Sequence, residues 1–412
     1  MREMKESGIE WIKAIPSNWN ISKIDQLYVP RNTKVSDFDY QPLSVTMQGI
    51  VPQLESAAKT NAHDSRKLVM KGDFAINSRS DRRGSCGISE YTGSVSLINT
   101  VLKPKEDMNA RYYNWLFHTS MFSDEFYRCG HGIVDDLWST GWQEMKKISI
   151  PSPSLDEQHK IADFLDQKCT KIDALTADIQ TQIETLEEYK KSVITEAVTK
   201  GLDPNVEMKD SGVEWIGKIP ANWTVIKIKF LSNEVNQKRL MNTESMYSYL
   251  GLENLKSYSD EIIKTETDYD EGIQKFCHKG NVLFSKLRPY LAKVMICPYD
   301  TFATSEFLEL SPSECVCDAN YLKYSMLNSS FINEVNLSTY GAKMPRADAS
   351  YIKNIKICIT NLDEQHRIAD FLDQKCSEID QTISEKQQQL DTLAEYKKSL
   401  IYEYVTGKKE VA

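Results

Sequence analysis

No run of about 18 apolar residues occurs in the sequence, so no membrane-spanning helix is expected. The first residues, MREMKESGIEWIK, lack the apolar core of a signal peptide. The nine cysteines show no metal-site spacing: Cys315 and Cys317 form one C-x-C, and no second pair or His-x₃-His follows. Reduced thiols in a cytoplasm are therefore expected. Catalytic signatures are missing as well. There is no G-x-G-x-x-G after a strand, no G-x-S-x-G, no H-E-x-x-H, and no Asn/Asp-Pro-Pro-aromatic motif of amino-methyltransferases. GVEWIGK at 212–218 has the G-x₄-G-K skeleton of a phosphate loop, but Ile219 stands where the metal-binding Ser/Thr belongs. Glu214 and Trp215 also fill positions that need small residues.

A basic excess is absent too, since the net charge is −9. That average conceals a division. Residues 20–150 hold 16 Lys+Arg against 15 Asp+Glu, and residues 224–356 are also near neutral, so the acidity sits in the remaining segments. A clustered patch can bind phosphate whatever the total charge. The composition, 41% hydrophobic and 26% charged over 412 residues, is that of a globular protein of two or three domains.

What is present is a duplication. LDEQHKIADFLDQK at 155–168 returns as LDEQHRIADFLDQK at 362–375, identical but for Lys160 against Arg367. MKESGIEWIKAIPSNW at 4–19 returns as MKDSGVEWIGKIPANW at 208–223, and EEYKKSVITEAVT at 187–199 returns as AEYKKSLIYEYVT at 394–406. Each copy holds an opening segment, a variable block of roughly 130 residues and a helical tail. A period this long is not that of a solenoid; it describes two homologous halves related by a pseudo-two-fold.

The tails read as long helices. Ser154 and Asn361 are capping residues, each followed three positions later by Glu157 or Glu364. Neither tail contains Pro or Gly before Gly201 and Gly407, which predicts helices of about 45 residues, roughly 65 Å long. One apolar stripe runs through Ile161, Leu165, Ile172, Leu175, Ile179, Ile183, Leu186, Tyr189 and Val193. The other runs through Ile368, Leu372, Ile379, Ile383, Leu390, Leu393, Tyr396 and Leu400. Their spacing predicts a coiled-coil seam, antiparallel because a two-fold relation reverses direction.

The variable blocks read as mixed α/β globules. FAINSR, VSLINTVL and KKISIP in the first, and VLFSKL, KVMICP and IKICIT in the second, are strand-like. ARYYNWLFHTSMFSDEF and ANYLKYSMLNSSFINEV are helix-like and sit at comparable places. Donor-rich loops stand out: INSRSDRRG at 76–84, within a stretch (59–83) of seven basic and three acidic residues, LFSKLRPYLAK at 283–293, and YGAKMPR at 340–346. Arg grips guanine or phosphate, Lys neutralises phosphate, and Ser and Asn read base edges. The recurring His159 and His366, with carboxylates beside them, fit helix-start residues in an interface better than a catalytic dyad.

These motifs together resemble the specificity (S) subunits of type I restriction–modification systems. The resemblance rests on E-W-I-x-x-I-P-x-N-W, the doubled L-D-E-Q-H-[KR]-I-A-D-F-L-D-Q-K, E-Y-K-K-S, and GNVLFSKLRPY at 280–290. It implies an α+β fold: two mixed α/β target recognition domains separated by two long antiparallel helices (a coiled-coil spacer), in a pseudo-two-fold internal repeat. The segments would be 1–153, 154–200, 201–360 and 361–412, as first recognition domain, central helix, second recognition domain and C-terminal helix. It further implies a non-catalytic bacterial or archaeal cytoplasmic chain that reads a bipartite double-stranded DNA target. Its partners would be two methyltransferase (M) subunits, which hold S-adenosylmethionine, and restriction (R) subunits, which use ATP and Mg²⁺; the chain itself would bind no cofactor or metal.

Carried onto this sequence, the DNA-reading residues of the second block are Ser285, Lys286, Arg288, Pro289, Tyr290 and Lys293, with Gly341, Lys343 and Arg346 from the later loop. In the first block Ser78, Arg79, Ser80, Arg82 and Arg83 take the analogous place without the K-L-R-P-Y pattern, and Asp136 is a candidate acceptor from a cytosine amine. Docking and spacer positions are Trp11, Trp215, Leu165, Ile172, Ile179, Leu186, Leu372, Ile379, Leu393 and Leu400. The rival readings are a stand-alone DNA methyltransferase or endonuclease, which would bind S-adenosylmethionine by itself, and a duplicated protein–protein scaffold, which would ignore DNA.

Overall fold

A computed structural model of the chain describes residues 2–53, 63–132, 138–241, 247–259, 261–263 and 271–411. The chain divides into two compact units, Met1–Ile179 with Gln388–Ala412, and Gln180–Gln387. The predicted tails are helices over Leu155–Lys200 and Leu362–Val405. Each unit therefore contains the N-terminal part of one long helix and the C-terminal part of the other.

The helix starts are set by their caps. Ser154 Oγ accepts from the Glu157 amide at 3.3 Å, and Asn361 Oδ1 from the Glu364 amide at 3.0 Å. The stops are glycines in the left-handed region, Gly201 at φ +75° and Gly407 at φ +71°. At Gly407 the need is double, because a Cβ there would lie 2.5 Å from Pro16 and 2.9 Å from Trp19.

Within each unit the helical segments run antiparallel. In the first, the Phe164 and Tyr404 rings lie 4.4 Å apart and Lys397 pairs with Asp173. In the second, Lys190 Nζ sits 2.7 Å from Asp380, the repeat-related pair. Ile161, Leu165, Ile172, Ile179, Ile183, Ile368, Leu372, Ile379 and Leu400 are buried as the stripe predicts, and Leu186 and Leu393 are half-buried. Leu175, Tyr189 and Tyr396 depart from it and are exposed, while Lys190, Ile194, Ala197, Val198, Ile401 and Val405 are buried. A 3.6-residue helix drifts away from a 3.5-residue stripe over successive heptads, so the buried face moves on by one position. Lys190 tolerates burial because its ammonium also donates to the Tyr258 carbonyl at 2.6 Å.

The two globules share one plan. In the first unit a four-stranded antiparallel sheet runs in the order Cys86–Ile88, Phe74–Asn77, Asn99–Pro104, Tyr28–Pro30. In the second the corresponding order is Val294–Ile296, Val282–Ser285, Phe307–Pro312, Ser232–Val235. A second small sheet follows in each, and the first unit adds a hairpin of Leu43–Thr46 with Gly49–Pro52. VSLINTVL contributes to two strands in different sheets, because the chain turns at Leu97 and Ile98. Each helix-like run breaks into two helices: Ala110–Phe117 and Ser120–Arg128, then Ala319–Leu327 and Ser329–Leu337. Thr119 and Asn328 cause the breaks, each capping the second helix with its side chain.

The start and end of each block pair with one another. Asn20–Lys23 lies antiparallel to Ser149–Ser152, and Thr224–Lys227 to Lys356–Ile359. Each block thus leaves the frame where it entered. The GVEWIGK stretch forms the connection of a hairpin between the strands Met208–Asp210 and Lys218–Pro220, and its last residue, Lys218, begins the second strand.

The repeated L-D-E-Q-H stretch ties helix to globule. Buried Gln158 accepts the Asn109 amide at 2.8 Å and donates to the Pro153 carbonyl at 2.9 Å. Buried Gln365 accepts the Asp318 amide and donates to the Val316 carbonyl, both at 2.9 Å, and to the Thr360 carbonyl at 2.7 Å. Asn109 and Asp318 are the N-caps of the helices Ala110–Phe117 and Ala319–Leu327. His159 lies 2.8 Å from the Asn109 side chain, and His366 lies 3.6 Å from Asp318. The next residues of the repeat continue the junction: Asp166 takes Arg111 and Trp115, and Asp373 takes Lys323 and Tyr324.

Candidate nucleic-acid interface

In the second unit, S-K-L-R-P-Y leaves the strand Val282–Ser285 and crosses the later loop. The Ala347 amide donates to the Lys286 carbonyl at 2.9 Å, and the Arg288 amide to the Pro345 carbonyl at 2.7 Å. Leu287 and Tyr340 both bridge to Arg346. The Lys286 amide donates to the Glu306 carbonyl at 2.9 Å. Three chain segments therefore converge on a few residues. Arg288 takes the left-handed conformation, φ +48° and ψ +61°, which an L side chain adopts at a cost of about 1–2 kcal/mol. Gly341, at φ +93°, makes the later loop's turn.

Side chains at this crossing divide into two sets. Lys286 and Arg288 are half-exposed, Tyr290 and Lys343 are exposed, and the Arg346 guanidinium reaches solvent while one end rests on Glu306. Ser285 is buried and its hydroxyl donates to the Leu287 carbonyl at 2.9 Å. Lys293 gives its ammonium to the Leu252 carbonyl at 2.7 Å, and burial holds its pKa below the usual lysine value against the pull of Glu253. Ser285 and Lys293 thus shape the loop from inside, as buried Pro289 does.

The first unit builds the same crossing. The Thr140 amide donates to the Ser78 carbonyl at 2.9 Å, and the Ser80 amide to the Trp138 carbonyl at 3.2 Å. Arg79 and His131 bridge to Ser139, and the Ser78 amide donates to the Ile98 carbonyl at 3.3 Å. A cleft of about 430 Å³ opens beside it, lined by Asn32, Lys67, Ser78, Arg79, Ser139 and Trp142 among others. Ser78 is buried on the Ile98 carbonyl. Arg82 and Arg83 are exposed; Arg83 pairs with Asp124 at 3.2 Å and covers the Tyr127 ring at 5.2 Å. Arg79 is exposed and forms no ion pair with another described residue. Asp136 lies outside the described residues.

Matching hydrogen bonds fix the correspondence of the two crossings. Lys286 stands where Ser78 does, Leu287 where Arg79 does, Arg288 where Ser80 does, Arg346 where Ser139 does, and Glu306 where Ile98 does. The basic loops are thus aligned as elements but one residue out of step as charges. Successive positions of an extended chain face opposite ways, so the two units present different chemistry from one scaffold. Glu306, Ile98 and Ser139 escape sequence reading, because only strand pairing places them beside the loops. Of the docking positions, Trp11 and Trp215 pack edge-on against Phe122 and Phe331, at 6.0 and 6.4 Å. Leu165, Ile172, Ile179, Leu372, Ile379 and Leu400 are buried within their own units.

Among the described residues no group of His, Cys, Asp and Glu could hold a metal ion, and no helix is long and apolar enough to cross a membrane. A family model described as "Type I restriction modification DNA specificity domain" matches twice, over residues 16–185 and 220–392. The chain belongs to this family. Its relatives include the type I restriction enzyme MjaVIII specificity subunit of Methanocaldococcus jannaschii, 26% identical, with 96% of this chain and 94% of the relative covered. The EcoDI specificity subunit of Escherichia coli is 20% identical over 86% of this chain and 80% of its own length. Among solved structures, a chain from a study of type I R-M complex assembly and conformational transition has a TM-score of 0.72 at 11% identity, covering 96% of this chain and 99% of that one. The HsdS subunit from Thermoanaerobacter tengcongensis has a TM-score of 0.51 at 13% identity, with 96% and 98% covered. These neighbours share the fold of two recognition domains with long helices. The chain is a specificity subunit of the type I restriction–modification class.

Proposed function

We propose that this specificity subunit reads a two-part DNA sequence, one part by each loop crossing, and carries the methyltransferase and restriction subunits on its repeated frame. The observation that carries this reading is the shared crossing with different side chains: Lys286, Arg288 and Arg346 in one unit, Ser78, Ser80 and Ser139 with Arg79 in the other. A protein that reads two unlike half-sites needs that combination. The residues proposed to meet DNA are Lys286, Arg288, Tyr290, Lys343 and Arg346 in the second unit and Arg79, Arg82 and Arg83 in the first. The chain performs no catalysis on this reading. S-adenosylmethionine belongs to the methyltransferase partner, and ATP and Mg²⁺ to the restriction partner, in a bacterial or archaeal cytoplasm.

Exchanging residues 20–150 for the equivalent block of another specificity subunit tests this. The block begins and ends on paired strands, so the frame accepts the graft. Sequencing of methylated sites should show one half of the target replaced and the other half retained. Replacement of both halves would end the two-reader account.

A further inference from the structure

We propose that Glu306 is a positioning residue for base recognition: it fixes the Arg346 guanidinium so that the free edge of its fork reads a guanine in the second unit's half-site. The proposal rests on the reading of this crossing as a DNA-reading surface and names a residue that sets its specificity.

A carboxylate among Lys286, Arg288, Lys343 and Arg346 is at first sight out of place, because a negative charge there opposes the phosphate backbone. Its geometry supplies a reason. Glu306 Oε1 accepts from Arg346 Nη2, and the carboxylate side chain is only 16% exposed against 46% for Arg346. The Arg346 backbone is pinned by bridges to Leu287 and Tyr340, and Glu306 is tied in through its carbonyl, which accepts the Lys286 amide. Main chain and one end of the guanidinium are thus both held. An arginine anchored at one end keeps further N–H groups in a planar fork, the arrangement that meets guanine O6 and N7 together. A long unanchored arginine loses more rotamer freedom on binding, so the anchor favours discrimination over mere attraction.

The other unit supports the pairing. Where the second unit has Arg346 and Glu306, the first has Ser139 and Ile98, so cation and anion are absent together. Among the described residues, Glu306 Oε2 and Arg288 Nε are both buried at this crossing without a protein hydrogen-bond partner.

The test uses the full chain expressed with its methyltransferase partner, carrying Glu306→Gln or Arg346→Ala, with methylated sites sequenced across the genome. Both variants should relax the same single base pair of one half-site, discrimination there falling about tenfold to hundredfold. The other half-site should be unchanged, which shows that folding and assembly are intact. With the purified complex, Glu306→Gln should bind non-specific duplex as well as the parent or more tightly, since it removes a negative charge. An unaltered motif in Glu306→Gln, with relaxation in Arg346→Ala, overturns the role of Glu306 and leaves DNA reading standing. If Arg346→Ala also keeps the motif, Arg346 reads no base and the proposal falls, while the reading by the rest of the crossing stands. For a variant that yields no methylation, competition with duplexes altered at each base pair replaces sequencing; uniform weakening at every position then counts against the proposal.

Discussion

Gln365→Ala should lower the stability of the second unit by about 3–5 kcal/mol, one of the largest single-residue effects expected in the chain. The side chain is fully buried and serves three backbone groups: the Asp318 amide and the Val316 and Thr360 carbonyls. Each loses its partner when the amide is removed, at about 1–3 kcal/mol apiece where water cannot replace it. Gln158, which serves two groups, sets the comparison, and Gln158→Ala should cost less. Denaturant unfolding followed by circular dichroism measures both. Costs below about 1 kcal/mol for both would mean that the doubled L-D-E-Q-H stretch is kept for something other than this junction.

Arg288→Gly should separate stability from binding. Arg288 occupies a left-handed conformation that glycine adopts freely, so relief of strain offsets the added freedom of the unfolded chain. Stability should be unchanged or rise by about 1 kcal/mol. Affinity for DNA carrying the specific site should fall about tenfold to hundredfold, and the salt dependence should lose about one unit of slope if the lost contact is to phosphate. Loss of stability with no loss of affinity would remove Arg288 from the interface.

The sequence was most legible where it repeats itself. The long helices were readable to within a residue, because Ser154 and Asn361 cap them, and Gly201 and Gly407 stop them. The seam was less so: Tyr189 and Tyr396 fit a heptad on paper, but helical drift carries them to the surface and brings Lys190 inward. The loops were found by their arginines and lysines, while the crossing that organises them was hidden. Ser285 and Ser78 look like base readers in sequence and fold inward to the carbonyls of Leu287 and Ile98. Glu306 gave no signal, since a lone acid before a strand is unremarkable until pairing sets it beside Arg346. Local patterns fix helices and caps; which side chain of a loop faces out depends on contacts far apart in the chain.

The repeat also explains itself in physical terms. Of L-D-E-Q-H-[KR]-I-A-D-F-L-D-Q-K, the Gln, the His and the second Asp after it bind the globule, and the Ile, Ala and Leu fill the core. Two junctions built from the same repeated residues allow two unlike blocks to be held in a similar way.

On the proposed function, one chain reads two separate DNA sequences, one through each unit. Sequencing the methylated sites of cells that express this chain with its methyltransferase partner checks this. A single split motif is predicted, with two specified parts separated by a fixed number of unspecified base pairs. A continuous motif, or methylation without sequence preference, would contradict it.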